Sequence, residues 1–399
     1  MECFELIAKF TPYIRYGLTI PYAFKIYPAT SDLPPAWNNL AADNIFLSKE
    51  YFEILEQAPP QNMKCHYIGI FQEDELIGIA LSQFLDLNTL QTFGARDHCV
   101  KTSIRNIILR NFSSHVLFIG NNMLTGQNAF ALSAKANYDL ALQALKKAQE
   151  KLNQIFKAKG KKIHITTYKD FTASDITHFT IPEFNKSYKF STQPNMVLSI
   201  KDIWSCEEDY VQALTKKYRD QYKRARKKAV GIEKRKMNLE DIKKHEERIF
   251  ALYLHVAQNA PFNTFFLPKN HFRIFKEKLK ERFLFYGYFI DDQLIGFNTL
   301  IKNGKSLDTY FLGYEESIQR EKMLYLNMLY DMVGYSIHKG YTEIIFARTA
   351  LEIKSSIGAQ PVQMFGYIEH SNSIINSKMG KLFNLLEPKT VWEQRHPFK

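Results

Sequence analysis

The sequence has few cysteines and no recognisable metal-ligand spacing. Its four cysteines are scattered and form no C-x-x-C pair: Cys3, Cys65, Cys99 and Cys206. This usage is typical of reduced thiols in a cytoplasm and argues against a disulfide framework. The 11 histidines show no H-x-x-x-H or similar spacing, so we expect no bound metal.

Long hydrophobic runs are also missing. No window of about 18 residues is both apolar and uncharged, so the sequence predicts no transmembrane helix. The first five residues, Met1–Glu5, include two glutamates, whereas a secretory signal begins with basic residues. We therefore expect a cytoplasmic protein.

What the sequence does contain is an internal repeat. The segments Gly69–Ile79 and Gly287–Phe297 share the pattern G-x-F-x-(D/E)-D-x-L-I-G without a gap. Each copy predicts a β-hairpin, because an acidic pair separates two apolar runs. Two matching hairpins indicate a duplicated domain.

The segments that follow the two hairpins also match. After the first come a strand-like segment (90–94), an amphipathic helix and the strand-like segment 159–165. After the second come segment 307–313, an apolar helix and segment 339–345. The chain of 399 residues is long enough for two cores. We predict a mixed α/β fold of two tandem domains, residues 1–190 and 191–399, each with a twisted sheet flanked by helices.

A glycine-flanked loop, residues 120–126, follows a short apolar strand of the first half. The backbone N–H groups of such a loop can bind an anion. The alternative is a simple turn, which is the commoner case.

Positive charge is concentrated in one segment. Residues 216–236 contain eleven Lys or Arg and two acidic residues, a net charge of +9 out of +12 for the chain. Such a patch attracts an anionic membrane surface, a nucleic acid or an acidic carrier protein; the alternative is a solvated face of the predicted helix 208–230. The candidate binding residues of this helix are Lys217, Tyr218, Arg219 and Lys223, of which Arg219 and Lys223 share a face that could hold a phosphate or carboxylate.

An acid and a phenol share one face of a predicted strand of the second half. In the segment 306–313, alternation places Asp308 and Tyr310 on the same side. This pair could handle protons, or it could be a polar pair at a sheet edge. In the apolar helix that follows, Asn327 and Asp331 need partners if they are buried.

Three charged residues follow the strand 343–347. Arg348, Glu352 and Lys354 lie just past its C-terminal end, where open α/β sheets commonly bind ligands. The alternative for Arg348 and Glu352 is a surface ion pair at i, i+4 spacing.

These features together resemble the tandem-domain branch of the GNAT acyltransferase superfamily, which includes proteins similar to the Fem-type aminoacyltransferases of peptidoglycan bridges. The resemblance covers roughly residues 45 to 370. It is carried by the duplicated hairpin, by Lys-Tyr-Arg at 217–219 and by F-A-R-T-A-L-E-I-K-S-S-I-G-A at 346–359. It implies two mixed α/β GNAT folds with one acyl-transfer site, and a donor held against the splayed central strands of one half.

One departure from the family concerns the donor. Simple acetyltransferases of the superfamily carry a Q/R-x-x-G-x-G/A loop for the CoA pyrophosphate, and the matching stretch Gly313–Lys322 lacks its glycines. Gln319, Arg320 and Lys322 could still meet phosphate. A large or carrier-bound donor is favoured over acetyl-CoA.

The resemblance implies an N-acyltransferase without a permanently bound cofactor, which moves an acyl group from acyl-CoA or an acyl carrier protein to an amine. We expect Asp308 or Glu352 as the base, Tyr310 as the proton donor, Arg348 and Lys354 as contacts for an anion or oxyanion, and Asn327 as a further binding residue. The preferred acceptor is a long-chain amino-lipid at the inner membrane face. The alternatives are a Fem-type transferase that uses aminoacyl-tRNA and a cell-wall precursor, and a non-catalytic protein that binds an anionic polymer or membrane.

Overall fold

The computed structural model describes residues 21–89, 114–260, 263–386 and 392–399. The predicted strand-like segment 90–94 lies outside these ranges. The strands are β1 Ala23–Tyr27, β2 Met63–Gln72, β3 Glu75–Asp86, β4 His115–Ile119, β5 Phe130–Leu132, β6 Ile165–Phe171, β7 Tyr188–Ser199, β8 Glu233–Lys236, β9 Phe283–Ile290, β10 Gln293–Asn303, β11 Ser306–Tyr314, β12 Glu343–Ala347 and β13 Gln360–His370.

The helices surround one large sheet, so the mixed α/β class expected from the sequence is confirmed. They are α1 Trp37–Leu40, α2 Lys49–Gln57, α3 Tyr138–Ala158, α4 Glu207–Ala213, α5 Lys216–Lys228, α6 Leu239–Lys244, α7 Glu246–Asn259, α8 His271–Leu279, α9 Glu316–Lys322, α10 Leu324–Lys339, α11 Leu351–Ser356, α12 Ser373–Asn376 and α13 Met379–Leu386. Within the described ranges, no helix combines the length and the apolar character that crossing a bilayer requires.

Both predicted hairpins are present. β2 pairs with β3, and β9 pairs with β10, each as an antiparallel ladder with one irregularity beside the second strand's glycine. The turns contain non-glycine residues at positive φ, namely Glu73 in the first and Asp291 and Asp292 in the second. Aspartate tolerates this conformation better than most residues do, which explains the acidic pair of the second turn but not Glu73 of the first.

The two repeats join into one sheet through exchanged strands. The order is β1-β2-β3-β4-β6-β13-β7-β12-β11-β10-β9-β8, with β5 paired to β3. We call β1–β7 the first half and β8–β13 the second half. β7 pairs with β12 of the second half, while β13 pairs with β6 of the first. The predicted boundary between residues 190 and 191 falls inside β7, and the division into domains 1–190 and 191–399 stays a prediction.

Alternating side chains of the strands build a shared core on one face of the sheet and two separate cores on the other. In β10, Phe297 and Ile301 belong to the shared core, whereas Ile295 and Leu300 belong to the second half's own core. The shared core also contains α2 of the first half and α8 of the second, which pack on each other. The halves are therefore held together by apolar burial as well as by the exchanged strands.

The prediction of one continuous basic helix over 208–230 is wrong. The structure has two helices there, α4 and α5, separated at Leu214 and Thr215, which adopt extended backbone angles. Leu214 is fully buried and forms a β-bridge with Phe398. Thr215 N–H donates to the Pro397 carbonyl. A contact with a segment about 180 residues away in sequence thus interrupts a helix that local periodicity favours.

Candidate active site

The two parallel strands of the second half diverge soon after they meet. β11 and β12 pair at three positions, Ser306–Asp308 with Glu343–Ile345, whereas β11 continues along β10 as far as Tyr314. A cavity of about 370 Å³ lies beyond this point, lined by both strands, the C-terminal part of α7, α10 and a loop of the first half. Its walls are largely apolar and include Val256, Leu312, Tyr325, Leu329 and Met332.

A β-bulge shapes the wall formed by β11. Leu300 pairs with Thr309 and Asn298 pairs with Leu312, so two residues of β11, Tyr310 and Phe311, lie opposite Thr299. A bulge re-aims side chains out of strict alternation. The rings of Tyr310 and Phe311 accordingly contact each other, with centroids 4.6 Å apart.

Asp308 is the buried acid of the cavity. Its side chain lines the cavity and is 6% exposed. Burial raises the pKa of Asp308 to about 7, a hydrogen bond with Asn303 opposes the increase, and the charge of Glu343 adds to it. The Oδ2 atom has no hydrogen-bond partner in the described part of the chain. A carboxyl with a pKa near neutrality is suited to accept a proton.

Tyr310 lines the same cavity and is hydrogen-bonded to a buried histidine. Its hydroxyl lies 3.0 Å from His271 Nε2, and His271 Nδ1 lies 3.0 Å from the carbonyl oxygen of Ala58. Burial lowers the pKa of His271 to about 4 and raises the pKa of Tyr310 well above 10. Both groups are therefore neutral at neutral pH.

The turn after β12 is strained and is held by Lys354. Ala347, Thr349 and Ala350 have φ values of 58°, 68° and 47°, which cost energy for residues with a side chain and cluster at functional sites. Lys354 Nζ donates to the carbonyls of Phe346 (2.6 Å) and Arg348 (2.7 Å). Burial lowers the pKa of Lys354 to about 7, while the carbonyl oxygens around it favour the charged ammonium.

Arg348 connects the cavity to the first half. It lines the cavity, and its guanidinium forms an ion pair with Asp170, which also pairs with Lys169. Burial lowers the pKa of Arg348 to about 10, still high enough to keep the charge. Its Nε is buried without a hydrogen-bond partner among the described residues, so the described protein groups do not use all of the guanidinium's donors.

The loop of the first half that reaches the cavity is the glycine-flanked segment. We call residues 120–129, between β4 and β5, the inserted loop; its residues Met123, Leu124 and Thr125 line the cavity. Two of its amides are already used: Asn122 N–H donates to Gln83 Oε1 at 2.6 Å, and Met123 N–H donates to the side chain of Asn121. This favours the turn interpretation over anion binding.

The structure brings together Asp308, Tyr310, Arg348 and Lys354, but not Glu352. Glu352 is exposed and absent from the cavity lining. Its carboxylate accepts from Glu393 N–H and from Arg395, and these two hydrogen bonds lower its pKa. Glu352 therefore ties α11 to the C-terminal segment, and the expected pairing with Arg348 is wrong because Arg348 pairs with Asp170.

The candidate binding residues on α5 lie outside the cavity lining, as does Asn327. Tyr218 is buried under Lys217, and Arg219 donates to the Leu214 carbonyl at 2.7 Å. Lys223 is exposed. Asn327 is buried and donates to the Ala225 carbonyl at 3.0 Å, so it joins α10 to α5.

Sequence reasoning missed His271 and Asp170, which carry no motif and meet their partners over a long sequence separation. It singled out the loop around Leu124 as a possible anion site, but not its contact with the cavity of the other half. A third missed residue, Arg226, anchors α5 by pairing with Glu207 and Asp331. The one signal in the sequence was Asp331, an acid in an apolar helix that needs a partner if it is buried.

No protein-family model and no curated protein matches the sequence. Among solved structures, the chain is similar to FemX at 12% identity, covering 85% of this chain and 93% of that chain with a TM-score of 0.47. It is similar to the C-terminal domain of a putative lysylphosphatidylglycerol synthetase from Agrobacterium fabrum at 8% identity, with coverages of 88% and 98% and a TM-score of 0.49. A tandem GNAT protein from the clavulanic acid biosynthesis pathway matches at 9% identity, with coverages of 88% and 99% and a TM-score of 0.49. At these identities and with TM-scores below 0.5, the matches assign neither a family nor an activity to this chain.

Proposed function

We propose that the protein is an N-acyltransferase that moves an acyl group from a thioester, carried by CoA or an acyl carrier protein, to an amine. The observation that carries this proposal is the cavity itself. It is apolar along most of its wall, opens where two parallel strands diverge, and contains the buried carboxyl of Asp308. An apolar wall suits an acyl chain, and a buried base suits an amine nucleophile.

In the proposed step, the amine nitrogen attacks the thioester carbonyl carbon. A C–N bond forms, the C–S bond breaks, and the nitrogen loses a proton to the Asp308 carboxylate. The thiolate that leaves takes up a proton, so the overall reaction is amine plus thioester to amide plus thiol. Arg348 and Lys354 are the cations of the lining; because Lys354 already donates to backbone carbonyls, Arg348 is the one that would stabilise negative charge on the carbonyl oxygen. Lys354 holds the turn that positions Arg348.

The region that would hold a CoA pyrophosphate favours an acyl carrier protein over CoA as the carrier of the thioester. Residues 316–322 form helix α9 in place of a glycine-rich loop. Arg320 of this helix already pairs with Glu316, and Lys322 pairs with Glu321. Cations that are neutralised by neighbours attract phosphate less strongly.

The basic surface of α5 supports an acceptor at an anionic membrane. Its exposed cations form no ion pair with any described carboxylate: Lys216, Lys217, Lys223, Arg224, Lys227 and Lys228. Val230, just beyond the helix, is 73% exposed. A basic helix face beside an exposed apolar residue suits the surface of an anionic bilayer, and we propose a long-chain amino-lipid as the acceptor.

The experiment is an assay of the purified chain with sphinganine and either palmitoyl-CoA or a palmitoyl-loaded acyl carrier protein, read by mass spectrometry for the amide. The expected result is amide formation that Asp308→Asn abolishes. Aminoacyl-tRNA with a peptidoglycan precursor is the second arm. Product in that arm alone would replace the proposal by the Fem-type reaction, and no product in either arm would favour a binding protein.

A further inference from the structure

The hydrogen bonds of His271 determine which way the Tyr310 hydroxyl can act. A backbone carbonyl has no proton, so the contact between Nδ1 and the Ala58 oxygen at 3.0 Å requires the proton on Nδ1. The imidazole is fully buried and, with its lowered pKa, carries one proton only. Its Nε2 is then a hydrogen-bond acceptor.

Tyr310 must therefore donate its proton to His271. The hydroxyl oxygen lies 3.0 Å from Nε2, and the phenol has a single proton to give. Any other group that reaches this hydroxyl meets an oxygen lone pair. This differs from the role of proton donor that the sequence suggested for Tyr310.

The neighbouring acid, Asp308, is also a hydrogen-bond acceptor. Asp308 Oδ2 is buried without a partner among the described residues, and a carboxylate only accepts hydrogen bonds. Asp308 and Tyr310 both line the cavity. Two acceptors on one strand, one of them anionic, match a ligand group that donates hydrogen bonds and carries positive charge.

We propose that His271 is a positioning residue that holds the Tyr310 hydroxyl as an acceptor, so that Asp308 and Tyr310 form a subsite for a primary amine or its ammonium form. The assignment deepens the proposed function, because it locates the nucleophile of the acyl transfer, and it rests on that function for its biological meaning. An alcohol could also donate a hydrogen bond in this subsite, but it would offer fewer protons than an amine and no charge. The subsite therefore selects amines over alcohols.

The selectivity can be measured without any transfer reaction. Titration calorimetry at pH 8 with octylamine and octanol compares two ligands that differ in the head group. We expect the wild-type chain to bind octylamine at least about tenfold more tightly, since hydrogen bonds to a charged partner are the stronger ones. Asp308→Asn should weaken octylamine binding about 10- to 100-fold and leave octanol binding nearly unchanged.

A double-mutant cycle tests the role of His271. His271→Phe should weaken octylamine binding about threefold to tenfold and should have no further effect in a Tyr310→Phe background, because its influence passes through the hydroxyl. His66→Phe is the matched control: His66 is also buried, and burial lowers its pKa to about 4, but it lies in β2 outside the cavity lining. Equal effects of His271→Phe with and without the hydroxyl would overturn the positioning role.

The tautomer gives a test that needs no folded variant at position 271. Long-range proton–nitrogen NMR spectra of histidine-labelled wild-type protein should show His271 protonated on Nδ1. Protonation on Nε2 would make Tyr310 an acceptor from His271 and would overturn the proposal. If the protein binds amines selectively but transfers no acyl group, the amine subsite is supported and the proposed function is contradicted. If it transfers acyl groups but does not bind amines selectively, the proposed function is supported and the amine subsite is contradicted.

Discussion

Each half has a hairpin, a third strand, a long helix and a strand parallel to the third in the same order, but the two halves differ at the end of the parallel strand pair. In the second half, β11 passes the divergence point with only a one-residue bulge, and a cavity remains. In the first half, the chain leaves the edge of β3 after Ile119 and returns at Phe130. The inserted loop occupies that interval, and its tip lines the cavity of the other half.

Each half has a buried lysine near the end of its parallel strand pair, but the two lysines hold different segments. Lys169 donates to the carbonyls of Asn121 and Leu124, at 3.1 and 3.3 Å, and so fastens the inserted loop. Lys354 fastens the strained turn that bounds the cavity. Residues 120–129 of the inserted loop thus follow β4 in the first half, whereas the second half has a bulge in β11 and a cavity at the matching strand end.

Removing the acid of the second half should have the largest effect on the reaction. The corresponding strand of the first half, His115–Ile119, has no acid. Asp308→Asn should lower the transfer rate roughly 10²- to 10⁴-fold, the usual contribution of a general base. In the wild type, the rate should rise with pH through about 7, because burial raises the pKa of Asp308 to about that value and the carboxylate is the active form.

The same substitution should raise stability at alkaline pH. An acid whose folded pKa is raised binds its proton more tightly in the native state, so the wild type loses stability as pH rises from about 4 to about 7. Asp308→Asn removes this loss and should gain roughly 1–4 kcal/mol at pH 8, measured by urea unfolding. A variant that loses both activity and stability at pH 8 would contradict the assignment.

Removing the lysine of the first half should mainly affect stability. Lys169→Met leaves Asp170 buried with Arg348 as its remaining ion-pair partner and frees two carbonyls. Asp170 loses one of its two cationic partners and two buried carbonyls lose their donor, so we expect a loss of about 3–5 kcal/mol, which urea unfolding would show. The control is Lys146→Met, which breaks a pair between α3 of the first half and the partly exposed Glu369 of β13 and should cost less. Equal losses of stability in the two variants would contradict the view that Lys169 holds the inserted loop in place.

Removing Lys354, the lysine of the second half, should reduce activity more than stability. Lys354→Met leaves carbonyls without a donor and no uncompensated carboxylate, so we expect a loss of about 1–3 kcal/mol. The turn would relax and displace Arg348, with a roughly 10- to 100-fold loss of rate. Lys276→Met is the control, because Lys276 also donates to two backbone carbonyls but lies outside the cavity lining. It should lose similar stability and keep its rate.

The hairpins and the common face of Asp308 and Tyr310 followed from the sequence because a period of two is a local property. The bulge does not conflict with that face, since it begins at Tyr310. The inserted loop, the Arg348–Asp170 pair and the His271 contacts could not be predicted in this way. They join residues that lie 178 positions apart for the ion pair and 213 for His271 and Ala58, and only the exchanged strands and the shared core bring them together.

The last comparison concerns the surface, where the halves can be compared with equal charge changes. Lys223, Lys227 and Lys228 on α5 are exposed, as are Lys147, Lys151 and Lys157 on α3 of the first half. Changing the first trio to Gln should weaken sedimentation with phosphatidylserine vesicles by about 1 kcal/mol per lysine, less at high salt, whereas the second trio should have little effect. Equal weakening would mean that the vesicles respond to net charge alone, and α5 would then be an ordinary solvated helix.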